Sequence, residues 1–181
     1  MEQFRNFDYK TLLNKKKFTQ YYEKRYLFNL YHKNGGTRFI AISINTENYF
    51  KKTTNKYPIT RLPNAIKFDT FSNQNHERIN NQLSKLICVA SLEDKKNHIF
   101  LIDVMTLLKK KGVNITLELY GEGDSRPTIE NKITALGLQK EIILKGIVNN
   151  VEDYLKLADI YVHSAYSEAF GLAIMEAMAS G

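Results

Sequence analysis

Tryptophan is absent from this 181-residue chain, cysteine occurs once and proline three times. The single thiol, Cys88 in the run "LICVA", cannot form an internal disulfide, so no disulfide framework holds the fold. Among apolar neighbours it reads as a small buried residue and suits a reducing compartment. No apolar run approaches ~18 residues, so no segment reads as a membrane-spanning helix. The opening "MEQFRNFDYK" has no apolar stretch of the secretion-signal kind. A cytoplasmic protein is the expectation. Histidines 32, 76, 98 and 163 are scattered without ligand spacing, so no metal site is expected.

Hydrophobic residues make up 43% of the chain and charged ones 25%, enough for a packed core. The net charge of +7 is uneven. Residues 1–70 hold 14 Lys and Arg against 5 Asp and Glu, or +9; residues 71–181 hold 12 against 14, or −2. The basic character belongs to the front of the chain. In 9–33, "YKTLLNKKKFTQYYEKRYLFNLYHK", lysines interleave with aromatics at roughly helical spacing. Such a helix lies on an anionic membrane surface or nucleic acid, or packs its aromatics inward with its lysines in water. Asn34-Gly35-Gly36 ends it.

"TRFIAISI" (37–44) reads as a strand, and "NTENYFKKTTN" as a helix capped by Asn45 or Thr46. "YPITRLPNAI" (57–66) is extended and ends at Pro63; 67–81 is a polar linker leading to a short helix. Then strands and helices alternate. Strands are expected at 85–92, 113–123, 141–146 and 159–165. Helices are expected at 97–112 with Gly112 as its stop, 126–137 with Pro127 in its first turn, 150–158, and from Phe170 onward. Strands this apolar need helices on both faces. The fold class is therefore α/β, a doubly wound parallel sheet.

Ligands of such sheets sit beyond the carboxyl ends of the strands. In "GEGDSR" (121–126), Gly121 and Gly123 let backbone approach a ligand, or simply make a turn; Glu122 stands between them. In "SLEDKKN" (91–97), Lys95 or Lys96 neutralises a phosphate, or is a solvated loop lysine. In the final loop, Phe170-Gly171-Leu172 opens a helix whose N–H groups and dipole suit a diphosphate. Glu168 and Glu176 flank that corner. Carboxylates are poor phosphate ligands but good acceptors for sugar hydroxyls, including those of a ribose; otherwise Glu168 caps the helix and Glu176 faces solvent.

"SEAFGLAIMEAMASG" (167–181) closely resembles the donor-site signature of retaining, two-domain B-type glycosyltransferases of family 4. "VASLEDKKNHIFLIDV", "LELYGEG", "ILKGIVNNVEDYLKLADIYVHSAYSE" and "LPNAI" follow the family's order and spacing, over roughly 38–181. The resemblance implies a Rossmann-like donor domain and transfer of a sugar from a UDP- or GDP-linked donor, with retention and without a metal or other cofactor. The implied acceptor is a growing surface glycan or lipid-linked saccharide. Glu168, the candidate catalytic residue, would touch the donor sugar; Phe170, Gly171 and Leu172, beside Ala169, would meet the diphosphate. Glu176 would bind the ribose, and Lys96 the diphosphate oxygens. Gly121 and Gly123 would line the cleft, Gly146 and Val148 in loop 146–149 would flank the base, and His163 would border the site. Two departures stand out: Ser91 where the family has arginine, and Ala169 where it has glycine.

By the same resemblance the chain reads as a fragment, incomplete at both ends. Residues 1–68 are the remnant of an acceptor domain, 69–84 a linker and short helix, and 85–181 a truncated donor domain. Basic 9–33 would meet the inner membrane face, and no nucleic-acid partner is expected. A non-catalytic nucleotide-sugar-binding module is the alternative.

Overall fold

A computed structural model describes residues 38–53, 58–72, 84–168 and 170–181. The basic 9–33 segment, the Asn34-Gly35-Gly36 stop and Ala169 lie outside the described residues. The chain divides into two units between Leu62 and Pro63.

In the first unit, strands β1 (Phe39–Ala41) and β2 (Ile59–Arg61) pair in parallel, joined through helix α1 (Ile44–Thr53). The cap differs from the expected Asn45 or Thr46. Ser43 Oγ accepts from the Thr46 N–H at 3.2 Å, because the helix starts at Ile44 and Thr46 is its third residue. Ala41 is fully buried, and Phe39 packs on Phe50 with ring centroids 5.6 Å apart.

The second unit opens with a short helix, α2 (Phe68–Phe71). Four parallel strands follow: β3 (Lys85–Val89), β4 (Thr116–Tyr120), β5 (Ile142–Gly146) and β6 (Ile160–Tyr161). Their spatial order is β5-β4-β3-β6. Between them run α3 (His98–Lys110), α4 (Arg126–Ala135) and α5 (Val151–Lys156), and α6 (Leu172–Ser180) comes last.

Strand alternation explains the two layers of helices. Leu86, Cys88, Leu117 and Leu119 face one side, where Leu101, Ile102 and Met105 of α3 and Ile129 and Ile133 of α4 cover them. Ile87 and Tyr120 face the other, against Phe71 of α2, Leu155 of α5 and Ala177 and Ala179 of α6. Each fully buried Leu or Ile contributes about 1.5–3 kcal/mol. This is the doubly wound parallel sheet read from the sequence.

The strands are shorter than expected. β4 stops at Tyr120, where a register irregularity against β5 and the positive φ of Gly121 turn the chain out of the sheet. β6 keeps only two residues of the expected 159–165. Asp159 Oδ2 accepts from the N–H groups of Ser84 and Lys85, fixing where β6 begins. Beyond Tyr161 one further bond reaches the sheet, Val162 N–H to the Ile87 carbonyl at 2.8 Å. The next polar groups turn to the loop after β3.

Candidate functional site

Three loops close the carboxyl edge of the sheet. The N–H of Ala90 donates to the Tyr120 carbonyl, that of Leu92 to Glu122, and that of Ser125 back to Leu92. The Gly121 N–H donates to the Gly146 carbonyl at 2.8 Å. Both candidate glycines are needed for this close approach. A β-carbon on Gly123 would fall 2.4 Å from the Leu92 carbonyl oxygen. Glu122 pairs with Arg126, which also binds Glu130, and its carboxylate lies against Gly146. Val148 packs into the core beside Tyr120, while its neighbour Ile147 is exposed.

After Leu92 a 3-10 turn (Asp94–Lys96) leads to Asn97, whose left-handed φ of 55° redirects the chain into α3. The two lysines part here. Lys95 is exposed and pairs with Glu93 at 2.6 Å. Lys96 turns inward and pairs with Glu168 Oε1. Ser91 carries no charge into the site; its hydroxyl instead supports the Glu93 carboxylate, which Lys95 above all holds below its ordinary range.

The loop after β6 is tied to the same turn. Ser164 Oγ donates to the Lys96 carbonyl at 2.8 Å, and the Tyr166 N–H to that of Lys95 at 3.0 Å. These bonds bring Glu168 to Lys96. His163 joins them, its Nε2 standing 3.0 Å from Glu168 Oε1, while its Nδ1 lies 3.1 Å from the Tyr161 hydroxyl. Burial raises the Glu168 carboxyl, but Lys96 and His163 outweigh it and hold the group below its usual range.

Gly171, at φ 79°, starts α6 without a side-chain cap. Phe170 and Leu172 flank it, Phe170 partly buried and Leu172 exposed. Glu176 lies further along the helix. Among the described residues, none hydrogen-bonds its carboxyl. Burial, with Glu152 nearby, pushes it above the ordinary carboxylate range. The two acids are thus unlike: Glu168 is charged and paired, Glu176 unpaired and raised. Tyr161 feels the charge of both.

The structure therefore brings Lys96, His163 and Glu168 together, and Gly121, Gly123, Glu122 and Gly146 together, while Lys95 stays outside. Tyr161 and Ser164 were missed in the sequence. Tyr161 had a signal, since it stands two before His163 on a strand and so shares its face. Among the described residues, no group of three or more His, Cys, Asp or Glu is placed to hold a metal ion.

The family model of the glycosyl transferases group 1 matches residues 69–181. The chain belongs to that family. Over 134 residues it is 28% identical to the UDP-N-acetylglucosamine–peptide N-acetylglucosaminyltransferase GtfA subunit of Limosilactobacillus reuteri, covering 74% of this chain and 24% of that one. Over 97 residues it is 28% identical to the poly(glycerol-phosphate) alpha-glucosyltransferase of Bacillus subtilis, covering 54% and 14%. Among solved structures, the pneumococcal O-GlcNAc transferase GtfA, in complex with UDP and GlcNAc, superposes with a TM-score of 0.68. Identity there is 20%, over 84% of this chain and 30% of that one, so the likeness is one of fold. The chain spans about a quarter or less of these two curated relatives.

Proposed function

We propose that this group 1 chain carries the donor half of a nucleotide-sugar glycosyltransferase of family 4, acting with retention. The supporting observation is the meeting of Lys96, His163 and Glu168 beside the start of α6, with Glu176 left unpaired. In this reading, Lys96 and the N–H groups at Phe170, Gly171 and Leu172 receive the diphosphate, Glu168 orients the sugar, and Glu176 accepts from the ribose hydroxyls. The 146–149 loop flanks the base. The bond from the sugar C1 to the phosphate oxygen breaks, and the diphosphate leaves with the electron pair. Lys96 and the α6 N-terminus stabilise its charge. The acceptor oxygen then bonds to C1 from the departing side and passes its proton to the oxygen of the leaving diphosphate.

UDP is the first nucleotide to test, since the L. reuteri relative is named for a UDP-linked sugar. The acceptor is a glycan or lipid-linked saccharide, and the protein works at the cytoplasmic face of a membrane that 9–33 contacts. Preferential sedimentation with anionic vesicles would support that contact, and indifference to lipid charge would end it. Metal independence belongs to the same reading and predicts full activity in EDTA.

Calorimetry with UDP, GDP and ADP tests the donor site. One nucleotide should bind, and Glu176→Ala should weaken it by roughly 1.5–3 kcal/mol through loss of charged hydrogen bonds. A folded chain that binds none of them, or an unchanged variant, overturns the reading. One observation favours a non-catalytic binding module instead: Ser91 leaves the site without the arginine of the family pattern. Turnover of a bound donor by the chain decides against that module.

A further inference from the structure

Glu168 meets Lys96 and His163 through one oxygen, Oε1. Among the described residues, its Oε2 has no partner. An ionised carboxylate can only accept hydrogen bonds. The proton between Glu168 and His163 therefore sits on His163 Nε2. A neutral imidazole carries one proton, so Nδ1 is then bare and must accept. Its partner at 3.1 Å is the Tyr161 hydroxyl, which becomes the donor.

That hydroxyl has a second acceptor, the Val89 carbonyl oxygen at 3.4 Å. If the ring gains a proton, Nδ1–H donates to the Tyr161 oxygen and the hydroxyl swings its proton to Val89. The ring, the Tyr161 hydroxyl and the Glu168 carboxylate each keep a partner in both states, and no heavy atom has to move. The chain from Glu168 through His163 and Tyr161 to Val89 can hold either one proton or two on the ring.

Charged and titratable groups converge on the ring from every side. Tyr161 ends β6 two residues before it, Glu168 comes from the same loop, Lys96 from the 3-10 turn, and His98 from the start of α3. Cys88 of β3 and Glu176 of α6 act on Tyr161, and Lys95 on Glu168. Burial pushes the Cys88 thiol up to about 12, and burial, then Lys96 and His163, lowers the His98 ring below its ordinary value. The charges that decide are Lys96 and Glu168, whose side chains are 15% and 25% exposed, with His163 at 16%.

We propose that His163 is the positioning residue of Glu168 and the proton reservoir of the donor site: when a donor diphosphate draws Lys96 away, His163 takes one proton from solvent and holds Glu168 in its place. This rests on the donor-site reading above. The sugar-facing oxygen of Glu168 then stays fixed while Lys96 changes partners, and the site gains a positive charge as the anion arrives.

Two measurements test it. In the ligand-free protein, nitrogen NMR of the histidines, with His163→Gln for assignment, should show neutral His163 as the Nε2–H tautomer. The Nδ1–H tautomer overturns the proposal without reference to any ligand. The second is calorimetry with UDP-glucose and GDP-mannose, whose diphosphates have no group titrating near neutrality. The binding enthalpy at pH 7 should differ between HEPES and Tris and report uptake of up to about one proton, as the linkage of binding to protonation requires. His163→Gln, which keeps an N–H donor near Nε2, should bind without uptake and with affinity independent of pH between about 6 and 8. Equal enthalpies in both buffers, or the same uptake in His163→Gln, overturn the proposal while binding itself upholds the donor site. Binding of neither probe by a folded chain overturns the donor-site reading and the proton uptake together.

Discussion

A β-carbon on Gly121 would stand 2.0 Å from the carbonyl oxygen of Ala90. The contact is backbone to backbone, so no side-chain rotation relieves it, and φ at Gly121 is 135°, where other residues are strained. Gly137, at φ 63°, has open space around it. Gly121→Ala should therefore cost at least about 3 kcal/mol of stability and loosen the three-loop edge, whereas Gly137→Ala should cost about 1–2 kcal/mol. Urea unfolding of both variants measures the difference. Equal losses would mean that the close approach carries no energy.

Cys88 is 1% exposed on the central strand β3, and burial pushes its thiol up to about 12. A thiolate is the reactive form, and this one has neither charge nor access. Iodoacetamide at pH 8 should leave the folded protein unlabelled and modify it fully in denaturant. Rapid native labelling would place the residue at a surface.

Glu118 is a buried acid in the middle of β4, 7% exposed. Burial raises it, but the Tyr120 hydroxyl at 2.7 Å, with Lys85 at 3.5 Å and Lys145 at 3.4 Å, holds it below its usual range. A lowered carboxyl stabilises the fold above its unfolded pKa, and that stability is lost as pH falls through the folded value. Tyr120→Phe should cost about 1.5–3 kcal/mol at pH 7, the worth of a hydrogen bond to a charged group, and much less at pH 3. A loss independent of pH would remove the charge of Glu118 from the account.

His98 is 2% exposed, and neither ring nitrogen has a hydrogen-bond partner among the described residues. Burial, then Lys96 and His163, lower its pKa. The unfolded chain accordingly binds this proton first as pH falls below about 6.5, and stability drops from there towards the folded value. His98→Leu should flatten the fall in melting temperature between pH 7 and 5. At pH 7.5 it should be neutral or stabilising by about 1 kcal/mol, since two unpaired polar atoms are removed. An unchanged pH slope would remove His98 from the account.

The order of strands and helices was legible because apolar runs, glycine stops and Pro127 recur on schedule. The carboxyl-edge loops followed from that order, and Lys96 and Glu168 do meet there. What escaped depends on contacts between distant segments. Nothing local says that β6 ends at Tyr161; it ends because Ser164 and Tyr166 bond to carbonyls some 70 residues earlier. Glu118 drew no notice in its apolar strand, because Lys85 and Lys145 reach it only across the sheet. Charge and loop position alone left Lys95 and Lys96 alike; the family resemblance singled out Lys96, and the 3-10 turn sends Lys95 outward. Ser43 was passed over as a cap because 37–44 was read as strand and the helix was expected only from Asn45, with Asn45 or Thr46 as its cap.

Lys96 and Glu168 are 72 residues apart along the chain, and they meet only after β6 has docked beside β3. Closing so long a loop is entropically slow, and β6 offers just two residue pairs to reward it. During refolding this corner should assemble after the β3–β4–β5 sheet, and on gentle heating it should be the first to come apart. Ligand affinity would then vanish before most of the circular dichroism does, making function the earliest casualty of a partial melt.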